Sequence, residues 1–394
     1  MKQILKLWFN RTELAGSVGD LGTLVPLVVA LITLNHLHPV PVLLLTGLFY
    51  VATGLYYGLP IPVQPLKALA ATAIAMGLGA RTISTAGFLI GVVLLALGMS
   101  GLSQSASRLF TRPLVRGIQL GIGLILMRTA LKLIMTKGPL LSGTGWLEAN
   151  LGIAVAAAAG LLIAIFLPSR KLPAGLVVVV FGVGVGAAFG GLAPTAHAAP
   201  IPSGILGWGI PGLSEVTQAL ALLVLPQLPL TFANSVVATA DTARKYFDAE
   251  KARRVTPRAL SAGLGLANVL SAVAGGIPVC HGAGGLTAHY RFGARTGGAP
   301  VILGVSLVTL ALVFGRNSAS VLALVPLPVL GVILGYAGLQ HALLARDLSG
   351  YKDALVAGTT GLFALATGNI AIGLAAGAAL SLAYRLQPLL VKTS

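Results

Sequence analysis

Two Ile-Pro-Val tripeptides, at 61–63 and 277–279, interrupt otherwise apolar stretches of the sequence. Proline donates no backbone hydrogen bond and pushes the preceding residue toward extended geometry, so 60–64 and 277–280 are predicted to be short extended pieces. Pro65 is expected to begin one half-helix, and the run His-Gly-Ala-Gly-Gly at 281–285 is expected to open another. Backbone N–H groups at a helix start bind anions, and glycines let a ligand approach them. The breaks therefore predict an anion site between two facing helix starts.

The side chains that follow the breaks have the chemistry of an oxyanion site, although each also has a simpler structural explanation. Lys67 lies inside an apolar segment, where a cation costs about 3 kcal/mol on insertion scales. It either binds an anion or satisfies carbonyl groups. His281 is either a substrate donor or a packed neutral histidine, and Cys280 is more readily explained as a packing residue than as a ligand. The predicted binding residues are Thr23, Gln64, Pro65, Lys67, Gln227, Thr231, Asn234, Cys280, His281 and Gly282.

Further polar residues stand in the first and eighth apolar segments. Asp20 is a candidate for proton coupling, for capping a helix, or for pairing with Lys67 or an arginine. Gln227, Thr231 and Asn234 have helical spacing and are expected to share one face. They either bond neighbouring helices or supply the neutral donors that an oxyanion with four oxygens needs. The chain has only nine acids and none beside the second break, so the site favours an anion over a cation.

The elements that carry these residues are predicted to be membrane-spanning helices. Hydrophobic residues make up 56% of the 394 residues, charged residues only 9%, and the mean hydropathy is +0.94. A soluble domain has about 25% charged residues, so we expect an all-α polytopic membrane protein. The single cysteine excludes an intrachain disulfide and a cysteine-based metal cluster, and no cofactor, metal or nucleic acid is expected. Fourteen segments are predicted, near 14–34, 40–57, 62–79, 83–103, 112–135, 151–167, 173–190, 215–240, 257–274, 278–290, 298–315, 319–339, 353–368 and 370–388.

The distribution of positive charge predicts the orientation of these segments. With fourteen spans, twenty of the 26 lysines and arginines fall on the side of the two termini. Lys67 lies inside a segment, and the other five fall on the opposite side: Arg81, Arg128, Lys132, Lys137 and Arg316. Because positive residues concentrate in cytoplasmic loops, both termini are expected to be cytoplasmic, in a protein of the cell membrane.

Three short sequences recur in the same order 214 to 216 residues later, which predicts two related halves. They are Ile-Pro-Val (61 and 277), Gly-Ala-Arg-Thr (79 and 293), and the Gly-x-x-x-Gly runs at 117–121 and 331–335. Seven segments is an odd number, so the second half enters the membrane from the opposite side, as in the inverted repeats of many secondary transporters. The predicted halves are 1–190 and 215–394, joined by a connecting loop at 191–214.

Three longer motifs resemble a known family. Glu-Leu-Ala-Gly-Ser-Val-Gly-Asp-Leu-Gly-Thr-Leu-Val-Pro at 13–26 resembles the first-segment signature of molybdate transporters, a branch of the sulphate permease (SulP) superfamily. The sequences at 58–67, 278–285 and 290–295 are similar to its other two signatures. The branch commonly lacks the STAS domain of other sulphate permeases, and this sequence stops soon after its last predicted segment.

The resemblance implies the seven-plus-seven inverted repeat of uracil permease. The core domain would be 12–103 plus 215–315, and the gate domain 104–190 plus 316–394, often in a homodimer. It implies a secondary active transporter, here a symporter for high-affinity molybdate uptake by alternating access, with the substrate between the third and tenth segments. Sulphate transport is the alternative, and tungstate is a further candidate ligand.

Two other functions fit the sequence less well. A proton-coupled nucleobase permease on the same fold would want carboxylates in the eighth and tenth segments, where this chain has Gln227 and Asn234. A membrane enzyme using Cys280 and His281 is disfavoured, because adjacent residues on a helix point about 100° apart. The chain is therefore expected not to be an enzyme.

Overall fold

The structure is a computed structural model that describes residues 7–108, 110–135, 149–169, 172, 174–189, 211–322 and 324–391. Most of these residues are helical. The helices are α1 (Arg11–Ser17), α2 (Leu21–Leu34), α3 (Pro39–Tyr57), α4 (Lys67–Met76), α5 (Ala80–Ser100), α6 (Leu102–Ser107), α7 (Arg112–Met135), α8 (Ala149–Phe166), α9 (Ala174–Phe189), α10 (Leu213–Gln218), α11 (Leu225–Thr231), α12 (Thr239–Tyr246), α13 (Pro257–Ala274), α14 (Ala283–Arg291), α15 (Gly298–Phe314), α16 (Ser318–Leu322), α17 (Leu327–Ala342), α18 (Tyr351–Thr367) and α19 (Ile370–Val391). Two strands, β1 (Gln64–Pro65) and β2 (Val279–Cys280), precede α4 and α14. Two π-helical segments, Ala219–Val224 and Phe232–Ala238, make α10, α11 and α12 nearly continuous.

Prolines and glycines set many of the helix ends, which is why the predicted boundaries agree well with the structure. Helix α13 begins at Pro257, whose missing N–H group needs no partner there, and the Thr256 hydroxyl caps it by accepting from Ala259 N. It ends at Gly275, which adopts a φ of 77° that side chains disfavour. Each of the fourteen predicted segments contains a helix in the structure.

Length and composition identify fewer spans than fourteen. Among the described residues, six helices are long and apolar enough to cross a membrane, or seven if the bent pair Leu213–Val224 and Gln227–Tyr246 is one span. Helices α4 and α14 have only 10 and 9 residues, whereas a span needs about 20. Many large apolar side chains on the helices are exposed, Val180 and Leu362 among them, as expected for surfaces that contact lipid.

The longest helices pack in pairs across the chain. Helix α5 lies against α13, α3 against α15, and α7 against both α17 and α18. Glycines allow these pairs to approach closely: a Cβ on Gly47 of α3 would lie only 2.6 Å from Gly304 O of α15. Small residues thus bring distant parts of the sequence together around the two strands.

The structure corrects two details of the sequence predictions and does not test a third. Pro65 does not begin a helix, because it pairs in β1, and α4 starts two residues later at Lys67. The segment predicted at 319–339 is broken into α16 and α17, because Pro326 is extended and precedes the new helix start. The predicted connecting loop at 191–214 lies outside the described residues up to position 210.

Candidate functional site

The two Ile-Pro-Val breaks meet in the interior as a pair of antiparallel strands. Gln64 is opposite Cys280 in the register, and Pro65 is opposite Val279. Asn268 of α13 fixes this crossing, since its side chain donates to Val279 O at 2.9 Å and accepts from Val279 N at 2.8 Å. The extended pieces predicted from the prolines are therefore present and lie side by side, whereas no sequence pattern indicated the role of Asn268.

Amide side chains from the eighth segment cap both half-helices. Gln227 Oε1 accepts from Leu69 N at 2.8 Å, near the start of α4. Asn234 Oδ1 accepts from Ala283 N at 3.2 Å, at the first residue of α14. Gln227 also donates to Thr231 Oγ1 at 3.0 Å. The π-helical segment at Phe232–Ala238 adds a residue to the turn that carries Asn234, as such bulges commonly do at functional sites. These residues thus hold the two helix starts in place.

A cavity of about 370 Å³ opens beside these capped starts. Six of the ten predicted binding residues line it: Thr23, Lys67, Gln227, Thr231, Asn234 and Cys280. Lys67 is the first residue of α4, and its buried Nζ has no hydrogen-bond partner. Arg128 and Thr129 of α7, which the sequence analysis did not select, also line it. Within the described part of the chain, two cations and no acid border the cavity.

The other four predicted residues lie elsewhere. His281 Nδ1 is 2.8 Å from Pro62 O, and its ring packs edge-on against Tyr57 beside a second, apolar cavity. Pro65 is buried in the strand pair, and Gly282 forms the N-cap of α14. Gln64 is fully buried and donates through Nε2 to Asp20 Oδ1. None of these four residues lines the cavity.

The glycines at the start of α14 make room for side chains of the protein itself. A Cβ on Gly285 would lie 2.8 Å from Asp20 Oδ1, and a Cβ on Gly282 would overlap the side chain of Gln64. The glycines in the sequence had predicted that a ligand approaches the backbone here. Gln64 and Asp20 occupy it instead, because β1 carries Gln64 directly across the N-terminus of α14.

Asp20 lies at the centre of a buried polar cluster. Tyr50 OH donates to its Oδ2 at 2.6 Å, Gln64 donates to its Oδ1, and His289 Nε2 lies 4.0 Å from Oδ2. Although Asp20 stands at the N-cap position of α2, its side chain makes no capping hydrogen bond. No ion pair to Lys67 or to an arginine occurs among the described residues. The capping interpretation of Asp20 is therefore wrong, and Lys67 interacts with Asp20 electrostatically without a direct ion pair. His289, which sequence reasoning missed, is the titratable residue next to Asp20.

A second polar cluster lies at the Arg112 end of α7, away from the cavity. We call it the Arg116 network. Arg116 bonds Asp347 in a bidentate pair, Nε to Oδ1 at 2.8 Å and Nη2 to Oδ2 at 2.9 Å, and also bonds Asp241 of α12. Lys245 bonds Asp347, and Gln119 donates to Asp241 Oδ2 and to Thr242 Oγ1, each at 3.0 Å. The network joins α7 and the 3-10 segment Leu343–Asp347, which follows α17, to α12.

The chain matches known proteins over most of its length. A family described as "Molybdate transporter of MFS superfamily" matches residues 12–126 and 219–340. The chain is 30% identical to molybdate transporter 2 of Arabidopsis thaliana over 417 residues, covering 96% of this chain and 88% of the relative. It is 33% identical to molybdate transporter 1 of the same plant over 399 residues, covering 93% and 86%. These matches confirm the family resemblance, and because the relatives are transporters, they also confirm that the chain is not an enzyme.

The fold also matches a solved structure. The transmembrane domain of a cyanobacterial bicarbonate transporter, BicA, superposes with a TM-score of 0.57 at 19% identity, covering 94% of this chain and 98% of that domain. At this identity the likeness concerns the fold. The family match and the apolar helices together establish the chain as an integral membrane protein.

Proposed function

The chain belongs to the molybdate transporter family, and we propose that it carries molybdate across the membrane by secondary active transport, with the cavity beside α4 and α14 as the oxyanion site. The observation that carries this proposal is the charge of the cavity. Among the described residues, Lys67 and Arg128 line it, no acid does, and the buried Lys67 Nζ has no hydrogen-bond partner. A buried cation without a partner is costly, and a dianion would satisfy it.

The neutral residues around Lys67 can donate hydrogen bonds to an anion, because their acceptor atoms already have partners in the protein. Thr231 Oγ1 accepts from Gln227, so its own hydroxyl proton is directed elsewhere. Asn234 Oδ1 accepts from Ala283 N, which leaves its Nδ2 as the donor end. A tetrahedral oxyanion accepts on all four oxygens, so Thr231, Asn234 and Lys67 supply complementary contacts. Arg128 adds positive charge nearer the Met135 end of α7.

The packing of the helices supports a seven-plus-seven inverted repeat with fourteen spans. If segment n corresponds to segment n + 7, the contact between α5 and α13 has its counterpart in the contact between α15 and α3. The pair α18 and α19 corresponds in the same way to α8 and α9. The pairs α5–α13 and α3–α15 lie within the core domain (12–103 plus 215–315). The pairs α7–α17 and α7–α18 lie within the gate domain (104–190 plus 316–394). This supports transport by movement of one domain against the other.

The positions of the cavity and the Arg116 network suggest how access alternates. The cavity is lined by Arg128, Thr129 and Leu133 near the Met135 end of α7. The Arg116 network joins the proposed core and gate domains at the opposite end of α7. We infer that the core and gate domains separate at one end while the network closes the other. The cytoplasmic position of the termini, the cell membrane and the homodimer remain predictions.

Uptake of molybdate into proteoliposomes, measured by mass spectrometry, tests the function. We expect saturable uptake. Lys67→Gln should weaken molybdate binding at least about tenfold, since a hydrogen bond to a charged group contributes about 1.5–3 kcal/mol. Lys251→Gln is the matched control, because Lys251 is exposed and pairs with Asp248 outside the cavity.

The outcomes of this experiment are distinct. Absence of saturable molybdate uptake under any imposed gradient would overturn the proposed function. Normal binding by Lys67→Gln would remove Lys67 from the site. Competition by sulphate and by tungstate, which share the shape and charge of molybdate, measures the selectivity of the same cavity.

A further inference from the structure

The cluster around Asp20 has no role in the oxyanion site as described, yet it holds a carboxylate in the interior of a membrane protein. Asp20 is 1% exposed and His289 is 0% exposed. An ionisable residue in this position is costly unless it is paired, and such residues commonly mark proton pathways. The hydrogen bonds around Asp20 and His289 indicate how many titratable protons the pair can bind.

The hydrogen bonds of His289 define one titratable proton. Its Nδ1 lies 2.7 Å from Gly16 O, and a carbonyl oxygen only accepts, so Nδ1 carries a proton. Its Nε2 has no hydrogen-bond partner among the residues that the structure describes, and it lies 4.0 Å from Asp20 Oδ2. One further proton can therefore reside on Nε2 or on the Asp20 carboxylate, and the two groups share it.

Few other titratable groups face this pair. Tyr50 of α3 donates to Asp20, while Lys67 of α4 and Cys280 of β2 are near enough to interact electrostatically with it. Helix α9, which also packs there, contains no titratable residue. In the neighbouring helices, Glu13 of α1 accepts from Arg295, Thr296 and Ala299 N–H groups, His341 of α17 lies 2.7 Å from Thr287 Oγ1, and Tyr336 packs on Phe292.

We propose that Asp20 and His289 form a proton-binding site that couples proton movement to oxyanion transport. Asp20 interacts electrostatically with Lys67, one of the two cations that line the oxyanion site. While Asp20 is charged, it offsets part of the positive potential at Lys67. When the pair takes up its proton, that potential is available to an anion. Gln64 connects the two sites physically, because it bonds Asp20 and lies opposite Cys280 of the cavity wall.

This arrangement makes the proton and the oxyanion bind cooperatively. Linkage is reciprocal, so a proton that strengthens anion binding is itself bound more tightly when the anion is present. Moving a dianion against a potential of 100 mV costs about 4.6 kcal/mol, at about 2.3 kcal/mol per charge. Each proton carried with it offsets about 2.3 kcal/mol of that cost. The proton enters from one side with the anion and leaves on the other.

The chemistry of the cluster fits a proton better than a metal cation. Both carboxylate oxygens of Asp20 accept from donors, Tyr50 OH and Gln64 Nε2, and the remaining neighbour is an imidazole. Sodium requires several oxygen ligands around one point. Among the residues that the structure describes, no group of three or more histidine, cysteine or acidic side chains could hold a metal ion.

This proposal rests on the proposed oxyanion transport. The first test measures molybdate affinity by calorimetry at several pH values, all within the range where molybdate stays a monomeric dianion. We expect the wild-type protein to bind more tightly as pH falls, by up to about tenfold per pH unit for one linked proton. Asp20→Asn and His289→Gln should bind molybdate with an affinity independent of pH. Glu13→Gln is the matched control, because Glu13 is also a fully buried carboxylate, but its hydrogen-bond partners, the backbone N–H groups of 295, 296 and 299 and the Thr296 hydroxyl, do not titrate.

In proteoliposomes, an inward proton gradient should stimulate uptake by the wild-type protein and Glu13→Gln. Asp20→Asn should lose this stimulation and keep molybdate counterflow at equal pH on both sides. A pH-dependent affinity or a stimulation that persists in Asp20→Asn overturns the proposal, as does a wild-type affinity that is independent of pH. Sodium-dependent uptake without proton stimulation overturns it as well.

A second measurement needs no substrate. Infrared difference spectra between high and low pH should contain protonated-carboxyl or imidazolium bands that Asp20→Asn and His289→Gln abolish and Glu13→Gln retains. If no oxyanion binds or moves, the proposed function fails, and these bands still decide the proton site. Identical difference spectra in the wild-type protein and Asp20→Asn would overturn it.

Discussion

The Arg116 network joins the proposed core and gate domains at the Arg112 end of α7, which we call the closed end. Breaking the network should open the transporter at this end. Asp241→Asn keeps the shape of the side chain but removes the charge that pairs with Arg116 across α7 and α12. The Arg116 side chain is 6% exposed, whereas that of Asp241 is 36% exposed, and Arg116 keeps its bidentate pair with Asp347. A charged hydrogen bond contributes about 1.5–3 kcal/mol, and partial exposure lowers this to about 1–2 kcal/mol. The open population should therefore rise about 5- to 30-fold.

Ala238 provides a reporter for that opening. It is fully buried and packs in one cluster with Ile118 of α7, between the cavity residue Asn234 and the network residue Asp241. In a Cys280→Ala background, Ala238→Cys would be the single thiol of the chain. Its rate of reaction with a small thiol reagent measures the population in which the closed end has opened, because the buried thiol does not react.

Neutralising Asp241 should have an effect that neutralising Asp248 does not have. Asp241→Asn should raise the reaction rate of the Ala238→Cys thiol about 5- to 30-fold, whereas Asp248→Asn should leave it unchanged. Asp248 has a side chain that is 76% exposed and pairs with Lys251 within one loop. Equal rates in the two variants would refute the assignment of the Arg116 network as the closed end.

Two further predictions concern the half-helix starts. Gly285→Ala should destabilise the protein by about 1–3 kcal/mol, seen as a lower melting temperature, because the new Cβ would lie 2.8 Å from Asp20 Oδ1. Gly160→Ala is the control, since a Cβ there meets no atom within 4 Å, and an equal loss in both variants would contradict the packing argument. Gln227→Glu keeps the acceptor for Leu69 N but adds a negative charge beside Lys67, so calorimetry should find molybdate affinity at least about tenfold weaker. An unchanged affinity would place the anion away from Gln227.

The sequence was most informative where local chemistry decides structure. Proline and glycine positions gave most helix boundaries, and the repeated Ile-Pro-Val breaks predicted the two extended pieces before α4 and α14. Lys67, Thr231 and Asn234 were selected because polar side chains in an apolar chain are conspicuous, and all three line the cavity. Predictions that depended on side-chain direction were less successful. His281 follows its break directly, yet its ring faces Tyr57 and Pro62.

The residues that sequence reasoning missed owe their positions to contacts between distant parts of the chain. His289 reaches Asp20 only because α14 packs beside the first segment, and Asn268 holds β2 from α13. Arg128 was counted among the residues of the opposite membrane side, since no local pattern indicates that α7 borders the cavity. Pairings over such separations leave no periodic signal in one sequence.

Composition and residue order alone predict an integral membrane protein with two interrupted helices and a positively charged interior residue. Those properties follow from composition, proline chemistry and the cost of charge in an apolar segment. The tertiary structure alone decided which groups face the cavity. The two breaks cross as antiparallel strands, so Lys67 borders the cavity while Gln64 turns to Asp20. Strand pairing fixes the side to which each residue points, and that pairing joins residues more than 200 positions apart.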